Sequence, residues 1–115
     1  MANTFKVVTK AGVTSADTIY TVASSTTTVV LGIMLGNTTT SQVTATVTLS
    51  SDTSNRAGAN NEANQDVELV TNAPIPSGSS LELLAGNKVV METTDVLKLT
   101  ASGATDIALS IMEIT

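Results

Sequence analysis

Residues 42–50 read QVTATVTLS, with Val43, Ala45, Val47 and Leu49 on one side of an extended chain and Thr44, Thr46, Thr48 and Ser50 on the other. Side chains alternate across a strand with a period of two, so this stretch predicts a strand with one dry and one wet face. Residues 106–114 alternate in the same way, grouping Ile107, Leu109 and Ile111 against Ala108, Ser110 and Met112. Residues 27–35, TTVVLGIML, are apolar at nearly every position, which fits a strand buried on both faces or a short buried helix. Its length, its β-branched start and Gly32 and Gly36 favour the strand. Shorter strand candidates are residues 4–9, 18–22, 66–70, 80–84, 88–92 and 95–100.

Thr, Val, Leu and Ile supply much of the 115-residue chain, and β-branched side chains suit a pleated surface. The turns agree. Gly86-Asn87 has the form of a two-residue hairpin, and Pro76-Ser77-Gly78 that of a tight turn leading into the next strand. Pro74 and Pro76 cannot donate to a ladder, which places residues 73–76 on an edge or in an extended connection. The fold class expected is mainly β: one antiparallel β-sandwich of about eight strands, jelly-roll-like or immunoglobulin-like, spanning residues 1–115 as a single domain.

The chain contains no cysteine and no histidine, so disulfides, thiolate metal sites and the usual base–nucleophile pairs are excluded. Ten acidic residues against five basic ones give a net charge of −5, which works against attraction to nucleic-acid phosphates. Phe5 and Tyr20 are the sole aromatics, too few to build the stacking platforms of single-strand or sugar binding. No leader pattern or membrane-length apolar run is visible, and the expectation is a soluble protein made in the cytoplasm. Asp52, Glu62 and Asp66 lack the spacing of a calcium loop, and Glu82, Glu92 and Asp95 read as solvated or turn residues. No catalytic residue, cofactor or metal is assigned. The threonine row of residues 44, 46 and 48 resembles an ice-ordering array, but threonine on a strand's wet face is ordinary β propensity, and no repeat extends it.

Residues 51–65, SDTSNRAGANNEANQ, have no hydrophobic pattern and are too long for a tight turn. Asp52, Asn55, Arg56, Asn60, Asn61 and Glu62 are candidate docking residues there; a solvated hairpin tip is the plainer reading. Residues 37–41 and the long loop are the places where a glycan-recognition module would put its function. Of the 115 residues only 13% are charged, leaving a surface finished largely with Thr, Ser and Asn, which is unusual for a free monomer.

The run APIPSGSSLELLAGNKVVMETTDVLKLTASGATDIALSIMEIT, residues 73–115, resembles small virion structural proteins of tailed bacteriophages, especially cyanophages. The opening MANTFK and the stretch TIYTVASSTTTVVLGIMLGNTTTSQVTATV are similar to the same group. The resemblance implies a non-enzymatic β-sandwich component of the particle, assembled in the host cytoplasm: a capsid decoration or cement protein, or a small tail, neck or fibre-base protein. It implies phage capsid or other virion proteins as partners, a homo-oligomer and, by analogy with local threefold positions, a trimer. No nucleic acid or membrane is implied.

On residues 27–35 the expected core positions are Val29, Leu31, Ile33 and Leu35, leaving Val30 and Met34 on the opposite side. On the last strand Met112 and Ile114 face away from Ile107, Leu109 and Ile111. Val30, Met34, Met112 and Ile114 therefore form the expected contact patch between subunits or against a partner, with a second internal layer as the competing explanation.

Overall fold

The computed structural model describes residues 2–51, 65–84 and 87–115. Nine strands follow one another: β1 (Asn3–Val13), β2 (Asp17–Thr21), β3 (Thr27–Asn37), β4 (Val43–Ser51), β5 (Gln65–Ile75), β6 (Ser80–Leu83), β7 (Val89–Met91), β8 (Val96–Ala101) and β9 (Thr105–Ile114). They form two antiparallel sheets. The first runs β1-β9-β3-β6 with β7 also on β3; the second runs β2-β8-β4-β5. Apart from β4–β5 and β6–β7, each connection crosses between the sheets. Counting β6 and β7 as one interrupted edge strand gives eight strands in the order of a jelly roll, which settles the sandwich expectation in that form rather than the immunoglobulin one.

The sandwich closes because each central strand supplies alternate apolar residues to one core. Val43, Ala45 and Val47 of β4, Leu97, Leu99 and Ala101 of β8, and Ile107, Leu109 and Ile111 of β9 are all buried, as the alternation requires. Burying side chains of this kind is worth about 1.5–3 kcal/mol each. Ile33 and Leu35 of β3 join them, with Val13, Val22, Ile75 and Met91 at the margins.

Two local features depart from the sequence reading. Val30 pairs with Ile111 but Gly32 pairs with Ser110, so Leu31 is an extra residue, a β-bulge that shifts the phase of β3 by one. Val30, expected in the contact patch, is 0% exposed in the core, and Val29, expected in the core, lies on the outer side with its partner Met112. Beyond the bulge the expected phase holds, with Ile33 and Leu35 inside and Met34 outside.

The second departure is the expected hairpin at Gly86-Asn87. Gly86 lies outside the described residues, but β6 and β7 on either side both run antiparallel to β3 along its free edge. The chain does not reverse there. Leu84, in a left-handed conformation (φ 60), accepts a hydrogen bond from Asn87 N at 3.2 Å, and β7 continues along β3 in the direction of β6.

Candidate assembly face

Inward alternation on β9 fixes what points outward from the first sheet. Phe5 pairs with Met112, Val7 with Ser110 and Thr9 with Ala108; on the other side of β9, Met112 pairs with Val29, Ser110 with Gly32 and Ala108 with Met34. Val29 in turn pairs with Val90, and Met34 with Glu82. Registered partners in a sheet share a face. The outer face is thus a grid of Phe5, Val7, Met112, Val29, Val90, Ala108 and Met34, with Ile114 and Thr27 in the row beyond Phe5.

Phe5 is 73% exposed, Val7 67%, Val90 58% and Met34 49%. These are four of the five large apolar side chains most exposed among the described residues, and all four occupy one face. Scattered singly they would need no explanation; gathered on a sheet face that no other described strand covers, they form a patch of the kind found at protein contacts. Gly32 and Gly36 lie in the same sheet, and a Cβ at either would meet nothing within 4 Å. Around Gly36 and Ala108 the face sinks into a hollow bordered by Thr9, Met34, Ser80 and Asp106.

Met34, Met112 and Ile114 of the expected patch are brought together here, the last two half-buried; Val30 is not. Phe5, Val7 and Val90 were missed. Their signal was the alternation in TFKVVTK, where Phe5 and Val7 fall opposite Lys6 and Val8. The inward side of β1 is the one carrying Lys6, Val8 and Lys10, since these pair with Ile111, Leu109 and Ile107.

Those lysines are used at the seam between the sheets. Lys6 Nζ lies 2.7 Å from Glu113 Oε1 and Lys10 Nζ 3.1 Å from Asp17. Tyr20 of β2 donates to Glu113 Oε2 at 2.6 Å and lies 2.8 Å from Thr28 Oγ1. Burial, and then the hydrogen bond to Glu113, pushes the Tyr20 phenol up to about 12, while Lys6 and then Tyr20 hold the Glu113 carboxyl below its ordinary range. The cluster ties β2 of one sheet to β1, β3 and β9 of the other; it is a clasp whose groups are spent on each other.

The remaining polar candidates are structural too. Asn37 Nδ2 donates to Ser41 O at 2.7 Å and Ile75 O at 2.8 Å, and its Oδ1 accepts from Thr39 N and Thr39 Oγ1, both at 2.8 Å. It locks the corner 37–41 instead of offering it to a ligand. Asp95 Oδ2 accepts from Glu92 N at 3.0 Å and Asp95 N donates to Glu92 O, closing the turn through Thr93 and Thr94. Thr46 Oγ1 accepts from Asn72 N at 2.9 Å, and Lys98 beside Thr48 interrupts the threonine array. Among the described residues no group of three or more acidic or other ligating side chains could hold a metal ion. Asp52, Asn55, Arg56, Asn60, Asn61 and Glu62 of the long loop lie outside the described residues.

No protein-family profile matches the chain, and no curated protein is similar to it in sequence. One solved chain, described under the words "Bacillus endospore appendages form a novel family of disulfide-linked pili", is 15% identical with a TM-score of 0.48, over 99% of this chain and 87% of that one. A likeness at that level carries no functional statement, and the disulfide linkage in those words has no counterpart in a chain without cysteine.

Proposed function

We propose that the chain is a non-enzymatic structural protein that works by assembly, and that its place is the particle of a tailed bacteriophage, where it decorates or cements the head. The observation that carries the assembly reading is the outer face of the first sheet, where Phe5, Val7, Met34 and Val90 stand exposed together. The low charge of the chain supports the same reading, because a surface meant to be covered does not need charge for solubility. The placing on a phage particle rests on the sequence resemblance of residues 73–115 and of the two upstream stretches. Residues 1–115 act as a single unit in this reading, without a cofactor, and the contact residues include Met34, Met112 and Ile114.

The test is to purify particles that encode the chain and measure its copy number against the major capsid protein. A ratio matching the lattice supports head decoration, whereas about a dozen copies or fewer, the number a single ring supplies, moves the protein to the tail or neck. Absence from particles overturns the phage reading.

A further inference from the structure

We propose that the partner on this face is a second copy of the chain, seated face to face about a two-fold axis, an inference that rests on the assembly reading above. The face has a raised end and a hollow end. Phe5 and Val7 stand proud at one end, and Gly36 and Ala108 floor the hollow at the other. Along β9 the partner of Phe5 is Met112 and the partner of Gly36 is Asp106, six residues apart, or about 20 Å at the strand rise. A two-fold axis midway sets the raised end of each copy into the hollow of the other, so one operation satisfies both contacts, as an isologous interface requires. Gly32 follows the bulge, but Gly36 has no such bend, and among the described residues it has no neighbour that a Cβ would strike, so packing between them does not demand glycine there. A second copy would.

Charge selects the same arrangement. The chain carries a net charge of −5, so two copies repel unless their acidic groups are kept apart. On this face Asp106 and Glu82 both lie toward the hollow end, where the one cation among the described residues of the lining, Lys10, is paired with Asp17, whereas the raised end and the row beyond it carry Asn3, Thr27 and Ile114. The two-fold axis places each acidic end over the partner's uncharged end. The area is sufficient without being large. Four strands spaced by about 4.8 Å and ten residues of β9 give a face of about 600 Å² per copy, or about 1,200 Å² for the pair, the lower bound of specific interfaces. The pair should therefore exchange with free chains at micromolar concentration.

Analytical ultracentrifugation of the wild-type chain across a concentration series tests this directly. The mass should rise from that of one 11.7 kDa chain to that of two and stop there. Gly36→Val fills the hollow from within its own chain, and Val7→Asp charges the raised end; each should weaken pairing at least about tenfold, with an unchanged circular dichroism spectrum. Thr48→Asp, on the outer face of the other sheet, should pair like the wild type. If Val7→Asp fails to fold, Phe5→Ser replaces it. A chain that stays monomeric throughout, a trimer, or variants of the face that pair as tightly as the wild type would overturn the two-fold pair. A monomer that is nevertheless recovered in particles overturns the pair alone and leaves the assembly reading standing; a dimer absent from particles overturns the placing on a phage and leaves the pair standing.

Discussion

On the outer face of the second sheet Thr48 lies between Lys98 and Glu68, Thr46 beside Thr100, and Thr18 beyond Lys98. At the corresponding depth on the first sheet Met112 lies between Phe5 and Val29, with Val90 beyond. Both faces grow from strands that point their other side into the same core, and both use residues that favour extended backbone. Threonine and valine are nearly the same shape and serve a strand about equally well. The fold therefore leaves the choice between hydroxyl and methyl open on an outer face, and that choice reports what the face meets. The second sheet presents hydroxyls and opposite charges across its strands, as a face turned to water does; the first presents exposed apolar side chains, as the proposed contact with a protein requires.

The sharpest way to break this comparison is to place the same charge on two β3 residues, four apart across the bulge, that the structure assigns to opposite sides. Val30→Asp buries an unpaired carboxylate, at a cost of several kcal/mol that is comparable with a domain's whole stability, and should abolish the β spectrum in circular dichroism. Met34→Asp should keep its unfolding free energy in urea within about 0.5 kcal/mol of the wild type. A folded Val30→Asp would remove the bulge at Leu31 from the account.

Next in size is Asn37→Ala, which removes the buried amide from the corner shared by both sheets, taking its donor from Ile75 O and its acceptor from Thr39 N while Ser41 O keeps Thr39 Oγ1. A loss of about 2–4 kcal/mol is expected in urea unfolding, with pairing through the first sheet unchanged once folded.

The clasp between the sheets sets a smaller effect, with a distinctive pH dependence. Glu113 has its folded pKa lowered, so its contribution is present above the unfolded carboxyl value of about 4.3 and disappears as pH falls through the folded one. Tyr20 has its folded pKa raised to about 12, so its contribution is complete below the unfolded value near 10 and is lost as pH climbs from there. Tyr20→Phe should cost about 1–2 kcal/mol at neutral pH and flatten the alkaline limb of a stability–pH curve. An unchanged alkaline limb would show that the phenol does not hold the seam. Smallest of all is Thr48→Val on the wet face: stability within about 0.5 kcal/mol and unaltered sedimentation. A change in assembly there would mean that both faces are contacts.

How far these faces were legible from sequence depends on where the alternation is unbroken. Residues 42–50 and 106–114 place every core residue of β4 and β9 correctly because their period of two runs without interruption. The phase of β3 is lost between Val30 and Gly32, since one inserted residue moves everything before it to the other side. Gly32 was the signal, an isolated glycine within a strand that marks a bend, but a run that is apolar on both sides offers no polar residue to reveal the shift. Gly86-Asn87 reads as a hairpin because a turn sequence specifies a turn, while whether the chain returns or continues is set by the strand it joins, here β3 on both sides. Phe5 and Val7 are apolar and outward, whereas Lys6 and Lys10 point inward, an inversion that only the register with β9 exposes.

Within the first sheet β1 has one hydrogen-bonded neighbour, β9, and the pairing extends to Ala2 and Thr115, which bond each other in both directions at 3.0 and 2.9 Å. A ribosome makes β1 first of the nine strands and β9 last. Until residues 105–114 emerge, β1 has no ladder to join and β3 lacks its central neighbour, so the grid of Phe5, Met112 and Val29 does not exist. Strand pairing across such a distance in sequence is slow to form and leaves growing chains prone to stick. Dividing the outer face between the earliest and latest strands postpones its appearance until all nine strands have been made. The order of synthesis thus sets the earliest moment at which this apolar face can exist.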